Sequence, residues 1–298
     1  MSYHLPVMAK ECIEALDIQR DGCYIDATFG GGGHSRLILK ELGKEGRLLA
    51  FDQDDDVVEN LIEDERFIFC HHNFRFLKRF LRLHGILQVD GILADLGVSS
   101  HQLNVPERGF SFRFDAALDM RMNQGYELTA AALLNSYSVN ELQNVFGKYG
   151  EVRNARTLAQ KIVEARGAKP LQTIADLLRV VDPLVRGQRN KYLAKVFQAL
   201  RIEVNDEIGA LYEFLKDSLE VLKPRGRLVV LSYHSLEDRP VKNLLKTGNV
   251  EGKVVKDFFG QIERPFELLY KGVKTPSDRE MAENPRSRSA KLRVGIKK

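Results

Sequence analysis

The sequence has 298 residues, of which 44% are hydrophobic and 29% charged, and its net charge is +4. This composition excludes a disordered chain, a collagen and a coiled coil, and the length favours about two domains. No run approaches the ~18 apolar residues that a membrane span requires, and the first residues lack the basic and apolar regions of a signal peptide. The three cysteines form no C-x-x-C pair. We therefore expect a cytoplasmic protein with no disulfide framework and no bound metal.

The first third of the chain alternates between strand and helix patterns. An amphipathic helix at 8–16 comes first, and a strand at 22–27 then runs into four consecutive glycines, residues 30–33. The alternation predicts a parallel, doubly wound sheet in which the carboxyl ends of the strands meet at one edge. The remaining predicted elements are helices at 34–42, 54–62 and 74–84 and strands at 47–52, 67–70 and 90–95.

The pattern then changes to helices. Residues 104–205 predict an all-helical insert, and after them the α/β pattern returns with a helix, a fifth strand at 227–232 and two further strands at 266–270 and 290–294. We therefore predict a discontinuous α/β domain, residues 1–103 and 206–298, with about seven strands. The candidate helices of the insert are 128–136, 139–147, 153–166, 174–182 and 191–202.

The glycine run lies between a strand and a helix, and Asp52 ends the next strand. Glycines there let a backbone approach a ligand, and an acid at the second strand can accept hydrogen bonds from ribose hydroxyls. A nucleoside-containing cofactor is predicted. A dinucleotide fingerprint needs a third glycine where Ser35 stands, so NAD is the weaker alternative. Asp26 before the loop and the segment 222–228 resemble class I S-adenosylmethionine methyltransferases.

Two further polar segments follow predicted strands at the same edge. Asp95 follows the fourth strand, where it could contact the cofactor or accept a proton, or could only cap a loop. The segment 232–239 after the fifth strand holds a hydroxyl, an imidazole, carboxylates and a guanidinium. It suits base binding better than a Ser-His-acid hydrolase, since no G-x-S-x-G elbow is present. Capping of the following helix by Ser235 is the structural alternative.

Eight segments, spread in order over nearly the whole chain, resemble the RsmH (MraW) family. The family consists of bacterial methyltransferases that act on N4 of a cytidine in 16S rRNA. Two departures from its usual pattern, Ala117 and residues 191–195, affect a loop and a surface of the insert. The matching segments are 4–7, 30–35, 95–100, 107–112, 118–122, 197–205, 234–239 and 284–289.

The resemblance implies a class I methyltransferase domain with a helical insert. It also implies methyl transfer from S-adenosyl-L-methionine to cytidine N4 in the decoding (P-site) region of the small ribosomal subunit. The implied cofactor contacts are Gly32, Gly33, His34, Asp52, Phe74, Asp95 and Gln102. Our candidate catalytic or base-holding residues are Asp95, Asp119, Arg121, His234 and Glu237.

The expected partner is 16S rRNA within the small subunit, and three basic regions are candidate contacts. They are a helix with Arg75, Lys78, Arg79 and Arg82, the insert residues Arg186, Arg189, Lys191 and Lys195, and the tail 286–298. Solvated helix faces explain the first set almost as well. The alternatives for the whole chain are methylation of another acceptor, such as adenine N6 or a protein side chain, and a non-catalytic RNA-binding assembly factor.

Overall fold

The computed structural model describes residues 6–256, 258, 260 and 264–298. The chain divides into two compact units. The first unit comprises the residues up to Gly97 together with Ile208–Lys298, and the second comprises Val98–Glu207. The predicted insert, 104–205, lies inside the second unit.

The described part of the first unit forms one seven-stranded sheet in the order β3-β2-β1-β4-β5-β7-β6. Strands β1 to β5 pair in parallel, and β7 is antiparallel to both β5 and β6. This confirms the predicted α/β class I methyltransferase fold, including the late pair of strands. The strands are β1 (Cys23–Asp26), β2 (Arg47–Phe51), β3 (Phe67–Cys70), β4 (Val89–Asp95), β5 (Leu222–Ser232), β6 (Phe266–Leu268) and β7 (Lys291–Lys297).

Twelve α-helices are present in the described residues. Five of them, α5 to α9, match the five predicted for the insert within a few residues. Among the described residues, no helix is long and apolar enough to span a membrane. The helices are α1 (Ala9–Leu16), α2 (Gly33–Glu41), α3 (Leu77–Leu83), α4 (Ser100–Asn104), α5 (Ala130–Ser136), α6 (Val139–Lys148), α7 (Ala155–Ala168), α8 (Ile174–Val181), α9 (Arg189–Asn205), α10 (Glu207–Val221), α11 (Ser235–Thr247) and α12 (Asp278–Glu283).

One predicted helix is wrong in type. Residues 54–62 were expected to be α-helical, but the chain forms only a 3₁₀ turn over Asp55–Asn60. The reason is competition from aspartate side chains, because the Asp54 carboxylate accepts from the backbone N–H of Asp56 at 3.0 Å. Such local side-chain-to-backbone bonds favour turns over continuous helix. The turn begins shortly after β2 ends at Phe51, so it stands at the edge where the strands end.

Each unit has its own apolar core. The central strands of the sheet are covered on both faces, and Leu49 and Ile92 are among their fully buried residues. In the helical unit, Phe146 and Leu200 belong to a separate buried cluster. The basic tail is not a solvated extension, because residues 291–297 form β7 between β5 and β6. Burial of the sheet fixes the strand ends rigidly, and the loops that follow them carry the polar groups described next.

Candidate active site

The acidic residues at the strand ends meet at one edge of the first unit. Asp26 is the last residue of β1, Asp95 is the last residue of β4, and Asp52 directly follows β2. Parallel pairing of β1 with both β2 and β4 places these three ends side by side. Ligands of open α/β sheets bind at this edge, where the strand order changes direction.

The glycine loop after β1 is held by Asp26. The Asp26 carboxylate accepts from the Thr28 backbone N–H at 3.1 Å and from the Ser35 hydroxyl at 2.7 Å. Burial raises the pKa of Asp26 to about 6, while these hydrogen bonds oppose the rise. Gly30 and Gly32 adopt positive φ angles of 50° and 71°, which favour glycine.

The glycine loop leaves room for a ligand. A Cβ added at Gly30 or Gly31 would meet no atom within 4 Å, so one side of the loop is open. Gly32 immediately precedes α2, whose N-terminal N–H groups favour a carboxylate. The loop therefore fits the carboxylate end of an amino-acid-bearing nucleoside.

Asp52 is fixed beside this loop. One carboxylate oxygen accepts from the Gly30 N–H at 2.8 Å and the other from the Asp54 N–H at 3.0 Å. Burial raises the pKa of Asp52 to about 6, against the effect of those bonds. The Gln53 N–H is a further backbone donor to this carboxylate. A carboxylate has about four acceptor positions, so Asp52 keeps capacity to accept from a ribose hydroxyl.

His34 and Phe74 flank the same edge. The His34 ring is buried, its Nε2 lies 3.2 Å from the carbonyl oxygen of Val7, and burial lowers its pKa, which favours the neutral ring. Phe74 packs edge-on against Phe214, with ring centroids 5.1 Å apart. The residues next to Phe74 and Asp52 are bonded, since Asn73 donates to Gln53 at 3.0 Å.

Asp95 has a partner that the sequence analysis missed. The Tyr233 hydroxyl donates to Asp95 Oδ1 at 2.6 Å. Burial raises the pKa of Asp95 to about 6, and nearby His34 opposes the rise. Burial and the Asp95 carboxylate both raise the pKa of Tyr233, so its hydroxyl remains a donor. The position of Tyr233 could have indicated this contact, because Tyr233 directly follows β5, the parallel neighbour of β4.

Glu237 organises the segment after β5. It is 4% exposed, and its Oε2 accepts from the backbone N–H groups of Tyr233 and His234 at 2.8 and 3.3 Å. Its Oε1 lies 3.0 Å from His234 Nε2. The alternative in which Ser235 caps the following helix is wrong, because His234 is the N-cap and Ser235 is the first residue of α11. Glu237 thus fixes the backbone that presents Tyr233 to Asp95.

The remaining predicted site residues lie in the second unit. Gln102 takes part in a capping box at α4, where its Oε1 accepts from the Ser99 N–H at 3.0 Å. Asp119 and Arg121 bind each other through two side-chain hydrogen bonds of 2.7 and 2.9 Å. Burial alone would raise the pKa of Asp119, but Arg121 brings it below its ordinary value. This pair also fixes its own loop, since Arg121 donates to the carbonyl oxygen of Tyr126 at 2.6 Å.

The predicted basic helix face is partly neutralised within the fold. Arg75 pairs with Glu213 at 2.8 Å, and Lys78 pairs with Glu220. Both acids lie on α10, so this helix is joined to Lys78 on α3 and to Arg75 in the 3₁₀ turn before α3. In the second unit, Arg189 pairs with Asp182 at 2.7 Å. The number of cations in a segment therefore overstates the positive charge that it offers to a polyanion.

The fold and the strand-end site define a class I S-adenosylmethionine-dependent methyltransferase. The sequence profile described as the MraW methylase family matches residues 1–298. The chain belongs to this family, as the sequence motifs indicated, and its cofactor is S-adenosyl-L-methionine.

Named relatives match over the full length. Ribosomal RNA small subunit methyltransferase H of Bacteroides thetaiotaomicron is 56% identical over 299 residues, which cover 100% of this chain and 98% of the relative. The protein of the same name from Flavobacterium johnsoniae is 54% identical over 298 residues, with the same coverage, 100% and 98%. Among solved structures, an rRNA methylase from Streptococcus thermophilus is 12% identical, covers 97% of this chain and 93% of that one, and has a TM-score of 0.40.

Proposed function

We propose that this chain transfers a methyl group from S-adenosyl-L-methionine to the exocyclic N4 of a cytidine in 16S rRNA, in the decoding region of the small ribosomal subunit. The full-length match to relatives named as small-subunit rRNA methyltransferases, at 56% identity, is the observation that carries the proposal. A ribosomal substrate implies action in the cytoplasm. The reaction requires the methyl group and cytidine N4 to be held in line, since good alignment of two reactants can lower an activation barrier by ~7–11 kcal/mol.

The residues of the strand-end edge fit the cofactor. The open glycine loop with Gly32, Gly33 and the start of α2 suits its carboxylate and amino group, and Asp52 suits its ribose. His34 and Phe74 are proposed to flank it, with Gln102 as a further contact. When bound, S-adenosylmethionine supplies an electrophilic methyl group on a sulfonium centre.

The chemical task for the protein is to activate a weak nucleophile. The lone pair of cytosine N4 is delocalised into the ring, so a hydrogen-bond acceptor on an N4 hydrogen would localise it. Asp95 is our proposed acceptor, because its Oδ1 is already fixed by Tyr233 and its Oδ2 accepts no hydrogen bond from the described residues. The carboxylate could then take the N4 proton that methyl transfer releases. No covalent intermediate with the enzyme is required.

The other predicted catalytic residues receive different roles. Glu237 is proposed as a positioning residue, because it bonds the backbone of Tyr233 and His234. His234 stays a candidate for holding the base. Asp119 and Arg121 remain candidates from the sequence, although their mutual bonds favour a role in shaping their loop.

The test uses tritiated S-adenosylmethionine with small ribosomal subunits from cells that lack this protein, followed by nucleoside mass spectrometry. Label in N4-methylcytidine is the expected result. Label in another nucleoside or in a ribosomal protein would overturn the acceptor but keep the methyltransferase. Cofactor binding without any label would instead support the non-catalytic assembly factor.

Asp95→Ala separates the roles of that residue. If Asp95 accepts the N4 proton, kcat falls by about 100-fold while the cofactor affinity changes much less. A loss of affinity alone assigns Asp95 to the cofactor. Full turnover with unchanged affinity would contradict both roles.

A further inference from the structure

A basic groove lies in the first unit, and its lining shares no residue with the strand-end site just described. It has a volume of about 210 Å³ and is lined by residues of α11, β6, β7 and the segment after β6. The lining contains four cations and no acid: Lys242, Lys246, Lys271 and Arg293. The sequence analysis assigned none of the three lysines to RNA.

The lysines of this groove differ from those of the α3 face. Among the described residues, no acid forms an ion pair with Lys242, Lys246 or Lys271, whereas Lys78 pairs with Glu220 on α10. Arg293 is the paired cation of the groove and donates to Asp238 at 2.6 and 3.1 Å. The groove thus combines one anchored guanidinium with three available ammonium groups.

The spacing of these charges is unfavourable for the fold alone. Lys242 and Lys246 are four residues apart on α11, so they share one helix face, and like charges at that spacing repel. Lys246 lies in the last turn, where the helix dipole stabilises a cation. Lys242 lies a turn earlier and lacks this stabilisation. An anion bound between these groups would remove the repulsion.

The lining of the groove also contains apolar and aromatic side chains. Tyr270 lines it together with Leu268 and Val273, two side chains that are 36% and 39% exposed. The ammonium group of Lys274 lies 5.6 Å from the centre of the Tyr270 ring. A positively charged groove with an aromatic platform is the combination that binds single-stranded nucleic acid, where bases stack and phosphates meet cations. An acidic protein surface would use the cations but would leave the ring and the aliphatic side chains without matching groups.

We propose that this groove, with Lys242, Lys246, Lys271 and Tyr270, binds a single-stranded segment of the ribosomal RNA substrate. The inference rests on the proposed function for the identity of the RNA. It predicts phosphates against the lysines and a base against Tyr270. The groove would then add affinity for the ribosomal particle without taking part in methyl transfer.

The test compares two triple variants that change the net charge equally. The groove variant carries Lys242→Ala, Lys246→Ala and Lys271→Ala, and the control carries Lys40→Ala, Lys44→Ala and Lys216→Ala, three exposed lysines outside the groove. Affinity for unmethylated small subunits is measured over a series of salt concentrations, with kcat and KM for methyl transfer. Each phosphate contact on a single strand contributes about −0.7 to the salt slope, so the groove variant should lose about 2 from it.

The expected result is a higher Kd and KM for subunits in the groove variant, with kcat at saturation and cofactor affinity unchanged. Tyr270→Ala should weaken binding by about tenfold with little change in salt slope, since stacking is not ionic. Equal losses in both triple variants would overturn the groove, because only net charge would then matter. Retained affinity in the groove variant would overturn it as well.

Crosslinking identifies the occupant. Subunits carrying 4-thiouridine are irradiated with the full-length protein, and the peptide that contains Tyr270 is analysed by mass spectrometry. Attachment to RNA supports the groove, and attachment to a ribosomal protein alone overturns it. The two proposals fail differently: without methyl transfer, RNA binding can still depend on the groove, and methyl transfer can proceed with a groove variant that binds normally.

Discussion

The strand-end aspartates of the first unit and two aspartates of the helical unit do opposite work in this chain. At the strand ends of the first unit, Asp26, Asp52 and Asp95 bond mainly to backbone N–H groups and hydroxyls, and burial raises the pKa of each to about 6. In the helical unit, Asp119 bonds to Arg121, and Asp176 bonds to Lys169 and Arg179. These cations help to hold the pKa of both carboxyls below the ordinary range.

This difference in hydrogen-bond partners distinguishes carboxylates that bind a ligand from carboxylates that stabilise the fold. A carboxylate matched by a cation has its charge satisfied within the fold and stabilises a loop. A carboxylate held by backbone donors, at a partly open edge, keeps acceptor capacity and has no compensating cation, so a ligand that donates hydrogen bonds is favoured there. Substitutions in the first group should therefore affect ligand affinity, and substitutions in the second group should affect stability.

The largest effect is expected at Asp52. Asp52→Asn keeps the shape of the side chain but replaces one acceptor oxygen with a donor, and it removes the charge. Affinity for S-adenosylmethionine should fall by about 100-fold, because hydrogen bonds to a charged group are worth about 1.5–3 kcal/mol each. Isothermal titration calorimetry measures the change. Asp55→Asn, which alters an exposed carboxylate of the following turn, is the matched control and should bind normally.

Asp119 should matter for stability more than for the cofactor. Asp119→Ala leaves the partly buried Arg121 without its carboxylate, so the free energy of unfolding should fall by about 2 kcal/mol. Chemical denaturation measures this value, and methyl transfer by the folded fraction should change little. As a control, Glu213→Ala removes an exposed partner of Arg75 and should cost less than about 1 kcal/mol. A lost kcat with unchanged stability would restore the role that the sequence suggested for Asp119.

The sequence was most informative where chemistry follows periodic structure. The alternation of strands and helices was sufficient to predict the parallel sheet. The glycines after the first strand, with Asp26, Asp52 and Asp95 at three strand ends, predicted the cofactor edge. Local patterns could not show which distant side chains meet. The Tyr233–Asp95 bond joins residues 138 positions apart, and the pairing of Lys78 with Glu220 joins residues 142 apart. The misassigned helix at 54–62 has a different, local origin, since its aspartate side chains bond the neighbouring backbone instead of extending the helix.

The contrast between the two sets of aspartates also predicts that lowering the pH weakens cofactor binding before it unfolds the protein. Above pH 6 the Asp52 carboxylate is ionised and can accept from the ribose, and below pH 6 it is protonated and loses an acceptor. Affinity should fall by up to about tenfold per pH unit below 6. The pKa of Asp52 in the folded protein lies above its ordinary value, so protonation of this carboxyl favours the folded, ligand-free protein. The pKa of Asp119 lies below its ordinary value, because Arg121 favours the ionised carboxylate.

Calorimetry with S-adenosylhomocysteine between pH 7 and pH 5, with circular dichroism as the check on folding, tests this order of events. In Asp52→Asn the part of the slope that belongs to this carboxyl should disappear. Parallel loss of affinity and of helical signal would contradict the comparison between the two units.

The smallest effect sharpens the comparison within the site itself. Tyr233→Phe removes the hydroxyl that donates to Asp95 Oδ1 but keeps the ring. The hydroxyl favours the ionised carboxylate, so its loss should raise the pKa of Asp95 and move the acid limb of kcat upward by about one pH unit, since one unit is about 1.4 kcal/mol. The other groups that influence this carboxyl are unchanged: His34 on α2, Asp26 on β1, Glu237 on α11 and Cys12 on α1.

Above this limb, turnover of Tyr233→Phe should be reduced only a few-fold. Tyr212→Phe on α10 removes an exposed hydroxyl and should leave the profile unchanged. A shift in the acid limb with normal cofactor affinity would identify Tyr233 as the residue that keeps Asp95 ionised and oriented. A weakened cofactor with an unmoved limb would mean that the Tyr233–Asp95 bond shapes the cofactor pocket, and the proton acceptor of the reaction would then have to be another group.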